Sequence, residues 1–197
     1  MKGRAPGAGD ALLIVDVQND FLPGGALGVP DGDAVIAPLN AALRVFGVAG
    51  LPVFSTRDWH PADHCSFVGR GGIWPPHCVA GTEGAGFAPA LELASSTVVV
   101  SKAVHPDADA YSGFAGTDLA ERLSAGGVER VFVGGLATEY CVLNTVLDAR
   151  REGLEVIVLE DAVRAVEVEA GDGARAIGRM RDAGAAFLPT RTAVGGE

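Results

Sequence analysis

The residues of this chain that could do chemistry are few, and they fall at recurring places. Asp16 follows LLIV, Asp58 closes PVFSTRD, Lys102 closes TVVVSK, and Cys141 ends GGLATEYC. A run as apolar as Leu12–Val15 carries a carboxylate at its end because it caps a turn, because it is solvated, or because it serves a thiol as general base. Lys102 could face solvent, as most lysines do. An Asp and a Lys ending strands of one sheet can also meet, and at ~4 Å in a cleft of effective dielectric ~20 they attract by about 4 kcal/mol. Such a pair keeps Asp16 ionised, and its positive charge favours a thiolate. Cys141 falls in the first turn of a helix begun near Thr138. A free thiol of pKa near ~8.5 is only a few per cent thiolate at neutral pH. A helix N-terminus and a nearby cation lower that value, and the same first-turn N–H groups can hold an oxyanion. Position alone fits a small buried packing residue equally well. Cys65 and Cys78 lack this setting and read as packing residues.

Histidine usage is the second anomaly. The chain has four, and His60, His64 and His77 fall in one aperiodic segment after Asp58. Asp58 with His60 and His77 gives a carboxylate and two imidazoles, a set suited to one divalent ion, with Zn expected and Fe or Mn compatible. His64 is a fourth ligand or the holder of a ligand water. His105, followed by Pro106, reads as an ordinary loop histidine.

The elements that must position these groups alternate along the chain. Strand candidates are 11–17, 52–58, 97–102, 128–135, 155–161 and a weaker 185–189, most of them continuous apolar runs of the kind a parallel sheet buries on both faces. Helices fit between them. Asp31 or Asp33 caps one running to about Val48, Thr117 caps one ended by Gly126–Gly127, Thr138 caps one closed by Gly153, and another covers 173–183. The pattern predicts an α/β fold, a three-layer αβα doubly wound sheet of about six mainly parallel strands. In such sheets ligands bind outside the carboxyl ends of the strands, where Asp16, Asp58, Lys102 and Cys141 all fall. The segment from Trp59 to Pro89 is rich in Gly, Pro and His and has no period, which favours a functional loop. A single domain is expected over 11–190, with a disordered tail at 1–10 and a C-terminal tail at 191–197.

Composition narrows the partners. The 197 residues are 48% hydrophobic, enough for one full core. With 15 basic against 25 acidic residues the formal charge is -10, which argues against nucleic acid or an anionic membrane. No apolar run approaches the ~18 residues of a membrane span. The first ten residues lack the apolar core of a signal peptide, and three cysteines without a CxxC pair suit a reducing compartment. A cytoplasmic protein with a small-molecule substrate is expected, and nothing in the sequence decides between monomer and homo-oligomer.

With these residues assembled, the chain resembles the nicotinamidase/pyrazinamidase branch of the isochorismatase-like cysteine hydrolases. The matching stretches are ALLIVDVQNDFLPGGAL (11–27), STRDWHPADHCSF (55–67), GGIWPPHCVAGTEGAGF (71–87), VVSKAVHPDADAYSGF (99–114) and GGLATEYCVLNTVLDAR (134–150). The resemblance implies an isochorismatase-like hydrolase fold and hydrolysis of nicotinamide to nicotinate and ammonia, or of pyrazinamide to pyrazinoate, through a cysteine thioester. It matches Asp16, Lys102 and Cys141 to a catalytic triad, and Asp58, His60 and His77 to metal ligands, with His64 at a position only some members use. It implies a cis peptide at Leu136–Ala137, oxyanion donors at Ala137 and Cys141, and a pocket lined by Phe21, Leu27, Trp74 and Tyr111. Tyr140 departs from relatives that have His before the nucleophile, which bears on the pocket's polar lining. Three other readings remain at this stage: a related amidase acting on a different small amide, an iron(II) oxygenase built on the two-His-one-carboxylate set, and a catalytically silent scaffold. The oxygenase leaves Asp16, Lys102 and Cys141 unexplained.

Overall fold

A computed structural model describes residues 5–195. The expected strands form one six-stranded sheet in the order β3-β2-β1-β4-β5-β6. They are β1 Asp10–Val15, β2 Val53–Asp58, β3 Val98–Lys102, β4 Arg130–Leu136, β5 Glu155–Arg164 and β6 Ala186–Leu188. All five pairings are parallel, so the fold is the doubly wound α/β sheet that the alternation implied. The chain order reverses between β1 and β4, and the crevice at that switch point is where such sheets bind ligands.

Alternate strand residues serve two cores. Leu13, Val15, Val131 and Val133 point to the side covered by helices α2 Leu119–Ala125, α3 Leu143–Arg151 and α4 Asp172–Asp182. Leu12, Ile14 and Phe132 point to the side covered by α1 Ile36–Val48 and the short α5 Thr190–Ala193. Burial on both faces is why these strands read as unbroken apolar runs.

Several boundaries differ from the expectations for local physical reasons. A 3₁₀ turn, Gly32–Val35, separates Asp31 from α1, and neither Asp31 nor Val35 makes a side-chain cap. Asp118 stands at the cap of α2, although the Thr117 hydroxyl does accept from Leu119 N–H at 3.3 Å. Thr138 makes no cap either: residues Thr138–Val142 wind as a π-turn leading into α3. Of the expected tails, residues 1–4 and 196–197 lie outside the described residues. Asp10 already belongs to β1, where its carboxylate takes two bonds from Arg130, and Ala193 and Val194 are buried where a tail was expected. No helix among the described residues is long and apolar enough to cross a membrane.

Gly135 in β4 has no room for a side chain. Its φ is +133, and a Cβ there would overlap the Val15 carbonyl oxygen of β1. That oxygen is backbone in a paired strand and cannot move aside. Gly135→Ala should therefore destabilise the fold by about 3 kcal/mol through overpacking and backbone strain. For a chain of this size that is a fall in Tm of roughly 6–12 °C, read by thermal unfolding.

Candidate active site

The carboxyl ends of β1, β2 and β3 deliver three charged side chains to one place. Register puts Asp58 beside Lys102, and Val15, just before Asp16, beside Thr56. The chain leaves β1 through a left-handed Asp16 (φ 50), a conformation Asp tolerates better than most residues. Lys102 Nζ lies 2.9 Å from Asp16 Oδ2 and 2.5 Å from Asp58 Oδ1, with all three side chains buried. It also donates to the Ala110 carbonyl at 3.1 Å and to Cys141 Sγ at 3.4 Å. Thr56 Oγ1 donates to Asp16 Oδ1 at 2.6 Å. Asp16 Oδ2 meets Lys102 as an ion pair without hydrogen-bond alignment and keeps its accepting capacity toward the thiol.

Cys141 reaches this cluster from β4. After Gly135 the strand turns through a cis Leu136–Ala137 peptide into the π-turn that carries the thiol. The N–H groups of Tyr140 and Val142 both close back on the Ala137 carbonyl, which tightens the turn around Cys141.

Burial sets the protonation states. It pushes the Asp16 carboxyl above the ordinary carboxylate range, with Lys102 opposing and Asp58 adding to the rise. Burial also pushes the Cys141 thiol well above its usual value; Lys102 opposes, but Asp16 and Asp58 reinforce the rise. Burial would lower Lys102, yet its two carboxylate partners and Cys141 raise it, so the ammonium persists. The Lys102 cation therefore does not by itself lower the thiol, because burial and two carboxylates act against it.

Next to this cluster lies a second one. Ligand atoms of Asp58, His60 and His77 lie within 4.8 Å of one another, all buried. His60 Nδ1 faces the Ala103 carbonyl at 3.3 Å and His77 Nδ1 the Pro75 carbonyl at 2.7 Å. Each carbonyl calls for the proton on Nδ1, which presents Nε2 as a lone pair. His60 Nε2 is buried with no hydrogen-bond partner, a cost that a bound cation would remove. These three residues therefore fit a divalent ion. A similar grouping of Asp16, Asp58 and Cys141 does not, because the Lys102 ammonium already serves as its cation. His64 stacks on His60 with ring centroids 4.2 Å apart. Its Nδ1 pairs with Ser66 Oγ at 2.7 Å and its Nε2 with the Ala108 carbonyl at 3.2 Å, so both nitrogens are engaged by protein.

Both clusters border one small cavity. Phe21, Leu27, Trp74, Tyr111 and Tyr140 line it, together with Asp58, His60, His77, Ala137 and Cys141. Asp16 and Lys102 sit behind the thiol. Trp74 Nε1 donates to Tyr111 Oη at 3.0 Å, and Trp74 packs edge-on against Tyr140, which fixes the aromatic wall. Ser66, Asp109 and Val166 also line the cavity, and nothing in their sequence setting marks them for it. Gln18 is a further residue that sequence reasoning misses: its amide accepts from Asp58 N–H and donates to the Asp58 and Ala85 carbonyls, holding the long loop against β1. A glutamine after a strand carries no signal of such a role.

The chain belongs to the isochorismatase family, whose domain model matches residues 10–192. It is 38% identical to the nicotinamidase of Escherichia coli over 196 residues, covering 89% of this chain and 92% of that protein. Among solved structures it is similar to the pyrazinamidase of Pyrococcus horikoshii in complex with zinc, with a TM-score of 0.88 and 48% identity over 92% of this chain and 99% of that one. It is also similar to PnC1 from L. infantum in complex with nicotinate, with a TM-score of 0.86 and 38% identity over 95% and 96% of the two chains.

Proposed function

We propose that this protein is a nicotinamidase: it hydrolyses nicotinamide to nicotinate and ammonia, and pyrazinamide to pyrazinoate. The observation that carries the reading is the junction of two clusters on one cavity. Asp16, Lys102 and Cys141 can open an amide, while Asp58, His60 and His77 can hold an ion at the same cavity.

The Asp16 carboxylate, whose proton affinity burial raises, takes the proton of Cys141 as the sulfur attacks the carboxamide carbon. Lys102 keeps the carboxylate in place and compensates the charge that develops on sulfur. Backbone N–H groups of Ala137 and Cys141 receive the oxyanion. Asp16 then gives its proton to departing ammonia and activates the water that cleaves the thioester. Phe21, Trp74 and the tyrosines hold the ring and exclude solvent. Asp58, His60 and His77 would hold a divalent ion, zinc first with Fe or Mn compatible, and such an ion would supply a Lewis acid to anchor a ring nitrogen. His64 keeps the His60 ring in place by stacking.

The test is ammonia release from nicotinamide by purified protein, before and after chelation and after return of Zn, Fe or Mn. Chelation should cut release at least ~100-fold, with restoration by added metal. His77→Ala should lower bound metal per chain by elemental analysis while leaving the fold intact. Undiminished release from metal-free protein would rule out the anchoring role. A folded, metal-loaded protein inert toward nicotinamide would redirect the reading to another small amide.

A further inference from the structure

Glu139 stands two residues before Cys141 and does not border the cavity, yet its carboxylate is the anchor of one cavity wall. Its Oε1 accepts from the backbone N–H groups of both Val166 and Glu167, each at 2.8 Å. Two successive N–H groups beside a left-handed residue, here Glu167 with φ 57, form a concavity that suits an anion. Glu139 supplies that anion from the nucleophile's own turn. Bonds from N–H to a carboxylate are about twice as strong as those between neutral groups.

The wall's other attachments are bonds to α4 and the packing of Val166 against the core. Residues 165–171 join β5 to α4 and have no strand partner. Glu167 turns the segment into α4 by accepting from Gly171 N–H at 2.6 Å and Gly173 N–H at 3.0 Å. Val166 reaches back to line the substrate cavity. The chain of contacts therefore runs from the Cys141 turn through Glu139 to the Val166 side chain.

We infer that Glu139 is a positioning residue that locks the Val166 wall to the turn carrying Cys141 and so sets how tightly the substrate ring is held. The inference rests on the nicotinamidase reading for its choice of substrate. Loss of the carboxylate frees the wall without touching the reacting groups, so it should appear in KM and spare kcat.

Steady-state turnover of nicotinamide tests this with four proteins besides the wild type. Glu139→Ala should raise KM about tenfold with kcat within about threefold. Glu139→Gln, which keeps an acceptor oxygen, should stay within about threefold in both. Val166→Ala should raise KM on its own, and Glu139→Ala/Val166→Ala should be no worse than the worse single variant, because both act through one wall. An unchanged KM in either single variant, or effects that multiply in the double variant, overturns the proposal. Amide hydrogen exchange supplies a readout free of substrate: Glu139→Ala should lose protection at Val166 and Glu167 while β1 and β4 keep theirs. Exchange unchanged at those two amides overturns it also. Wild-type protein inert toward nicotinamide would defeat the nicotinamidase reading, and the exchange result would still decide whether Glu139 holds the wall.

Discussion

Cys141→Ala is expected to lower kcat for nicotinamide by about 10⁴-fold or more, since no other thiol borders the cavity. Cys65 and Cys78 do not line the cavity, and burial drives the Cys78 thiol far above its ordinary range. Cys141→Ser tests the chemistry more finely. The hydroxyl can occupy the same place, but Asp16 would then have to draw a proton from a much weaker acid than a thiol. Activity below about a thousandth of wild type is expected for it. Both variants should bind metal as wild type does, because Asp58, His60 and His77 do not depend on the sulfur. Turnover surviving in Cys141→Ala would end the thioester scheme.

The need for a base follows from the surroundings of the thiol: burial and two carboxylates raise its proton affinity, and the one ammonium opposes them. Asp16 is poised to accept the proton because its own carboxyl lies above the usual carboxylate range. Proton transfer and attack are thus matched events on neighbouring atoms, and removing either atom removes the path.

The groups at strand ends are legible in the sequence because parallel strands follow a simple rule. Strands packed into such a sheet are largely apolar, so Asp16, Asp58 and Lys102 stand out at the ends of LLIV, VFSTR and VVVS. Their pairing needs only that β1, β2 and β3 be neighbours. Other parts of the site depend on contacts no local pattern carries. His64 has the residue type and spacing of a ligand, but Ala108, 44 residues on, takes its Nε2. Thr138 has the residue type of a helix cap, yet the turn closes on the Ala137 carbonyl and winds as π. Gln18 and Glu139 are ordinary polar residues by sequence, and their partners lie 40 and 27 positions away. The charge state of Cys141 escapes the sequence for a related reason. Lys102 and a helix terminus are visible there, but the sum over Asp16, Asp58 and full burial exists only in the packed site.

Lys102→Met should be more damaging to the fold than any other change named above. Lys102 is a buried cation whose ammonium answers two buried carboxylates. Methionine fills the volume but leaves Asp16 with only the Thr56 hydroxyl and Asp58 beside another anion. Breaking a buried pair by removing one partner costs about 3–5 kcal/mol, so a fall in Tm of roughly 6–20 °C is expected. The cause can be separated from packing. Asp16→Asn in the Lys102→Met background removes one uncompensated charge and should recover part of the lost stability, although alone it destabilises. The pH dependence has a definite sign. Without Lys102 the folded-state Asp16 carboxyl rises further above its unfolded value, so the folded state binds the extra proton. Stability is then fullest below the unfolded carboxylate range and declines as pH climbs through the raised folded value. Urea unfolding of Lys102→Met should accordingly show a smaller deficit against wild type at pH 5 than at pH 8. An equal deficit at both, with no recovery on adding Asp16→Asn, would mean that Lys102 stabilises through packing alone and that its charge is dispensable to the fold.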